Sequence, residues 1–150
     1  MHLKIIVLEG ETTGGSNLLE NHAEPFYAPK EPEEPFIFKG VKVFTTFTMI
    51  KKKPIELRFW MLNMESKFAL LNPEAFKLYI RDSYGAILIF DISDYTTLRP
   101  LVNYIKIIKE AAGDIPIMLV GNKLDLESSC EISTEEGELF VKNYGLTAYS

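Results

Sequence analysis

Apolar positions along this chain fall into two kinds of run, short continuous ones and longer ones with a helical period, and their alternation predicts the architecture. Leu3-Lys4-Ile5-Ile6-Val7-Leu8 is a nearly unbroken apolar run of strand length that stops at Glu9-Gly10, the pattern of a strand buried on both faces. After the loop Glu9 to Ser16, a brief and poorly capped helical period covers Asn17 to His22. Pro25, Pro29 and Pro32 among the acids of Glu24 to Glu34 predict an extended, exposed loop rather than an element. Val41 to Ile50 is rich in β-branched and aromatic residues and Ile55 to Trp60 alternates, so the two read as a hairpin. Its tip, Lys51-Lys52-Lys53-Pro54, reads as a solvated turn that blunts edge pairing.

Asn72-Pro73-Glu74 places a cap and a first-turn proline before a helix running to Arg81, and Tyr84 to Ile92 follows as a second buried strand. Leu101 to Ala112 is helical in period, with Pro100 at its start and Gly113 as its stop. Ile115 to Val120 is a third buried strand. Ser133-Thr134-Glu135-Glu136 opens a last helix that ends near Gly145, and a further strand begins after it. The order βα, ββα, βα, βα implies an α/β domain with a mostly parallel sheet, helices on both faces and right-handed crossovers.

Composition narrows the classes of function. A chain of 150 residues, 47% apolar and 25% charged, suits one domain that buries about 68–70% of its unfolded surface. Sixteen basic residues against 21 acidic give a net charge of −5, which favours neither a nucleic-acid partner nor an anionic lipid surface. Cys130 is the single cysteine; it allows no internal disulfide and reads as an ordinary loop thiol in a reducing compartment. No run is long enough to span a bilayer, the amino terminus opens on a strand rather than a signal peptide, and Leu146 to Ser150 offers no prenyl acceptor. A soluble, cytoplasmic protein without a stable membrane anchor is expected. Neither His2 nor His22 has the setting of a catalytic base.

The sharpest chemical feature is the apolar run that stops at Gly121-Asn122-Lys123-Leu124-Asp125. A carboxylate two residues past the Lys can accept two charge-assisted hydrogen bonds from the ring N–H and exocyclic amine of guanine, an edge that adenine lacks. The Asn122 amide can brace the loop and take a purine acceptor, and the stem of Lys123 can cover the base. The plainer account is a polar turn after a buried strand. Position decides between them: open α/β sheets place ligands at the carboxyl ends of their strands.

With that loop and Tyr84-Gly85-Ala86-Ile87-Leu88-Ile89-Phe90-Asp91-Ile92 in place, the chain resembles small GTPases of the Ras and Rab type over essentially its whole length. The resemblance implies a P-loop NTPase-like, three-layer α/β/α sandwich with one antiparallel hairpin strand, as a single domain over residues 1–150. It places the first strand on Lys4 to Leu8, the phosphate loop on Glu9 to Ser16, the first switch on Phe26 to Gly40, the second on Met61 to Phe68 and the base loop on Gly121 to Asp125. The implied nucleotide contacts are Gly14, Gly15 and Ser16 on the phosphate side, and Asn122, Lys123 and Asp125 on the base side. The family continues past Ser150 into a second base-contacting segment and a final helix. The domain therefore reads as incomplete at its carboxyl end, with an uncovered edge that favours self-association.

Departures from the family pattern concentrate on one side of the ligand. Its phosphate loop has Gly, four variable residues, then Gly-Lys-Ser/Thr, so that backbone N–H groups cradle oxygens, Lys neutralises charge and the hydroxyl holds magnesium. Here Glu9 stands at the first Gly, Gly14 at the second, Gly15 at the Lys and Ser16 at the hydroxyl. Phe38 falls on the magnesium-binding threonine of the first switch, and Met61-Leu62-Asn63-Met64-Glu65 on Asp-x-x-Gly-Gln. Each lost charge-assisted contact weakens binding by about 1.5–3 kcal/mol, so three lower affinity by roughly three to six decades if they add.

The expectation is weak or no binding of GTP or GDP, a magnesium ligand in Ser16 at most, no nameable catalytic residue and little intrinsic hydrolysis. The working part is then a switch-like surface for protein partners, where Phe36, Phe38, Met61, Leu62 and Met64 replace polar groups; filling the space of an absent metal and phosphate is the simpler account of those residues. Two other readings stay open. One is a nucleotide hydrolase completed by a partner's basic residue. The other is a phosphoacceptor receiver using Asp91, Glu9 and Lys123, which the hairpin fits poorly.

Overall fold

The structure, a computed structural model, describes residues 2–9, 24–25, 41–63, 73–122 and 132–150. The expected helix at 17–22, the phosphate loop with Gly14, Gly15 and Ser16, the first switch, Met64, Lys123 to Asp125 and Cys130 lie outside the described residues.

β1 (His2–Glu9) runs between β4 (Lys53–Asn63) and β5 (Gly85–Asp91), parallel to both, and its last four residues are buried. That two-sided burial is why its sequence is a continuous apolar run. β3 (Val41–Ile50) folds back antiparallel on β4 through a two-residue turn. β6 (Ile117–Asn122) joins β5, and β7 (Ala148–Tyr149) joins β6, both in parallel. Among the described residues the sheet has seven strands in the order β2-β3-β4-β1-β5-β6-β7, with β2 at Glu24–Pro25, mostly parallel with an antiparallel side.

Two expectations need correction here. Glu24–Pro25 is not loop but a two-residue strand, β2, antiparallel to Phe44 and Thr45 of β3. A proline is tolerated there because an edge strand can leave one side of its backbone unpaired. Gly121 and Asn122 belong to the last turn of pairing in β6, opposite Phe90 and Asp91, and not to the loop that follows.

The helices α1 (Pro73–Ile80), α2 (Leu101–Ala112) and α3 (Thr134–Asn143) start and stop where caps and breakers say. Gly113 ends α2 at φ 79°, its N–H donating to the Lys109 carbonyl. The Ser133 hydroxyl accepts from the Glu136 N–H at 3.2 Å, which satisfies one orphan donor of α3. Ser133→Ala should therefore cost about 0.5–2 kcal/mol, read as a thermal midpoint lowered by roughly 2–4 °C per kcal/mol.

All three described helices pack on one face of the sheet. Ile80 of α1, Leu101, Ile105 and Ile108 of α2, and Phe140 and Val141 of α3 close over Ile6, Leu8, Leu88, Phe90 and Leu119. On the opposite face Val7, Phe44, Met61 and Ile89 form a second buried cluster. Met61 and Leu62, each 2% exposed, thus point to opposite faces, Leu62 inside the first cluster and Met61 inside the second. They are core residues, so the expected docking surface does not include them.

Candidate functional site

Parallel strands β1, β4, β5 and β6 all end on one side of the sheet, and their last residues lie along one rim. Glu9 ends β1 directly across from Asn63 at the end of β4. Asp91 ends β5 across from Asn122 at the end of β6. Glu9 and Asp91 are both buried.

Asp91 is committed to its own turn. Its carboxylate accepts from the Ser93 backbone N–H at 2.9 Å and from the Ser93 hydroxyl, while its N–H donates to the Thr97 hydroxyl at 2.8 Å. Asp94 then caps the short 3-10 turn Tyr95–Thr97 by accepting from the Thr96 N–H. An aspartate closed into an Asx turn serves as a structural stop for β5, which weighs against its use as a phosphoacceptor.

Asn122 is the one sequence-derived base-side residue within the described part, and the backbone around it is pinned on three sides. Its carbonyl accepts from the Ile92 N–H at 3.2 Å. The Ile92 carbonyl in turn accepts from the Ile132 N–H at 3.1 Å. One residue after β5 therefore holds both the entry to and the exit from the segment 123–131. Behind it, the Gly121 N–H donates to the Ser150 carbonyl at 2.9 Å, and the Ser150 N–H to the Leu119 carbonyl at 2.9 Å.

Sequence reasoning missed what lies beneath this rim. The Tyr149 ring stacks on Phe90 with centroids 6.1 Å apart and 24° between planes. A Cβ on Gly121 would fall 2.7 Å from Ile92 Cγ2 and 3.0 Å from the Tyr149 hydroxyl oxygen. One on Gly137, in the middle of α3, would fall 2.5 Å from Tyr149 Cζ. Neither glycine has a positive φ, so both are required by close approach and not by conformation. Tyr149 thus wedges between α3 and the end of β6, against Gly121. The signal that could have found it is Gly137 itself, an expensive residue in a helix interior.

The sequence pattern of the Ras family matches residues 4–150. Ras-related protein Rab-21 of Canis lupus familiaris and of Homo sapiens is in each case 34% identical to this chain over 98 residues, and that of Mus musculus 33%. Each match covers 65% of this chain and 42% of the relative, less than half the length of those proteins. A parallel sheet with one antiparallel hairpin, a base-loop sequence at the end of β6 and a match across nearly every residue lead to one assignment: the chain belongs to the Ras family.

Proposed function

We propose that this chain is a guanine-reading member of the family whose grip on triphosphate and magnesium has lapsed, and that it acts by binding protein partners rather than by turnover. The observation that carries the reading is the charge at the phosphate end. A buried carboxylate, Glu9, ends β1 beside Asn63, and no Lys or Arg occurs in the sequence from Ile5 to Pro29. A triphosphate needs fixed positive charge around its oxygens, and family chemistry draws it from a lysine and a magnesium ion. Gly14, Gly15 and Ser16 can offer N–H groups and one hydroxyl, and no ammonium.

Residues that would hold magnesium triphosphate thus do not match its charge, and no hydrolytic step is assigned. On the base side the donor set does suit its ligand. Asn122 stands on a pinned strand end, and Asp125 and Lys123 follow it in the order that guanine requires. With Met61 and Leu62 buried, partner docking falls to the rest of the switch segments.

Calorimetry with guanosine, GDP and GTP in magnesium tests the reading. Guanosine and both nucleotides should bind weakly and within about tenfold of one another, because the phosphates gain few charge-assisted contacts. Nanomolar binding of magnesium GTP would overturn it. The similarity to Rab-21 over 98 residues favours one second reading, a hydrolase completed by a basic residue from its partner. Phosphate release that rises with a bound partner and disappears in Asp125→Ala would establish that alternative.

A further inference from the structure

We propose that the end of the sheet opposite the candidate nucleotide rim is a docking surface for anionic membrane, led by the tip of the β3–β4 hairpin. Strand register sets the geometry. His2, the first residue of β1, pairs with Glu56, so Thr48 to Ile55 of the hairpin reach past the end of β1. On this projecting ribbon Met49 is 63% exposed and Ile50 is exposed as well, and Phe47 at its base, level with His2, is 71% exposed. Side chains alternate, so Phe47 and Met49 occupy one face and Ile50 the other.

Lys51, Lys52 and Lys53 crown the ribbon, all exposed. Lys51 and Lys52 have φ of 50° and 63°, in the left-handed region where Asn-Gly makes the same two-residue turn with less strain. Keeping lysine there is a cost the turn itself does not explain. From Val41 to Ile55 the sequence holds no acid, and the first one, Glu56, is engaged by Arg58 at 3.2 Å and by Thr45 at 3.1 Å. Beside the hairpin, at the same end of the sheet, His2, Lys4 and Arg81 line a groove with exposed Leu78 and Tyr84. Asp82 is the one acid of that groove.

The occupant follows from this arrangement. A second copy of the chain would set one lysine crown against another. A rigid protein groove accepts one face of a ribbon, whereas this ribbon carries apolar groups on both. A bilayer interface is fluid, surrounds a projecting ribbon, receives aromatic and aliphatic side chains at headgroup level and lets lysine stems reach phosphates. The net charge of −5 opposes such contact only weakly. β1 spans about 26 Å at ~3.3 Å per residue, beyond the Debye length of about 8 Å, so acids at the far rim are screened from the surface. A handful of cations makes the contact reversible, an orienting one rather than an anchor.

The test is flotation of the purified chain with vesicles of phosphatidylcholine alone or with equimolar phosphatidylserine. The chain should float only with the second kind, and less so as salt rises. Combining Lys51→Gln, Lys52→Gln and Lys53→Gln should lower partitioning about fivefold per lysine, on the order of a hundredfold together. Phe47→Ser with Met49→Ser should lower it while leaving the salt dependence intact; all five sites are exposed, and far-UV circular dichroism checks that the variants fold. Absence of flotation with phosphatidylserine, an undiminished triple-lysine variant, or retention on an acidic protein column without any vesicle binding would overturn the proposal. The outcome does not depend on nucleotide, so it stands or falls apart from the reading of the other rim.

Discussion

Gly137→Ala should lower the stability of the chain by about 1–3 kcal/mol, the reverse of what the same change does in most helices. In an open helix interior alanine is better than glycine by about 0.5–1 kcal/mol, because it removes backbone freedom from the unfolded chain. Here the added methyl would stand 2.5 Å from Tyr149 Cζ and 2.7 Å from both Cε atoms. That is the face of the ring, not the end of a flexible chain, and the ring is itself held against Phe90. Overpacking therefore outweighs propensity. The thermal midpoint should fall by roughly 2–4 °C per kcal/mol in a domain of this size. Tyr149→Leu in the Gly137→Ala background should recover most of the loss, since leucine removes the atoms that clash and leaves the helix its better residue. A melting temperature that stays level or rises in Gly137→Ala would show that α3 can shift away from β7, and Tyr149 would then not be what holds α3 against the end of β6 at Gly121.

The same triad of Gly121, Gly137 and Tyr149 shows where reading the sequence stopped short. Elements with strong punctuation were legible: α2 runs from Leu101 to Ala112 because Pro100 and Gly113 bracket it, and β3 spans Val41 to Ile50 because β-branched and aromatic residues fill it. β2 was not legible, since two residues carry no period and Pro25 argues for a loop until an edge position is known. Met61 and Leu62 were ambiguous for a related reason. A strand packed on both faces shows no alternation, so burial and exposure look alike in the sequence. At the rim, side-chain chemistry pointed to Asn122, but the bridge through Ile92 uses only its N–H and C=O, which any residue other than proline would supply. Glu9 and Asn63 lie far apart in the chain, and only parallel pairing of β1 with β4 makes them neighbours.

Two substitutions outside the described residues should separate the base from the phosphates. Asp125→Ala should erase any preference for guanine over adenine nucleotides, lowering guanosine and GDP affinity by roughly 10²–10⁴-fold, because two charge-assisted bonds of about 1.5–3 kcal/mol each are lost. Adenine nucleotides, which never make those bonds, should bind as before. Gly15→Lys acts on the other half of the ligand. It restores an ammonium at the position that the family pattern gives to lysine, and should raise GDP and GTP affinity by about 10–150-fold while leaving guanosine unchanged. Glu9 limits that gain, since its carboxylate ends the strand from which the loop departs. Titrations of both variants against guanosine, GDP, GTP and ADP measure this directly. A guanine preference that survives Asp125→Ala would displace base reading from the loop after β6, and equal gains for guanosine and GDP in Gly15→Lys would mean that residues 14–16 do not face the phosphates. If instead the two variants act independently, one on the base and one on the phosphates, the proposed loss of triphosphate grip traces to side chains and not to the fold, because a single lysine on the same scaffold brings part of it back.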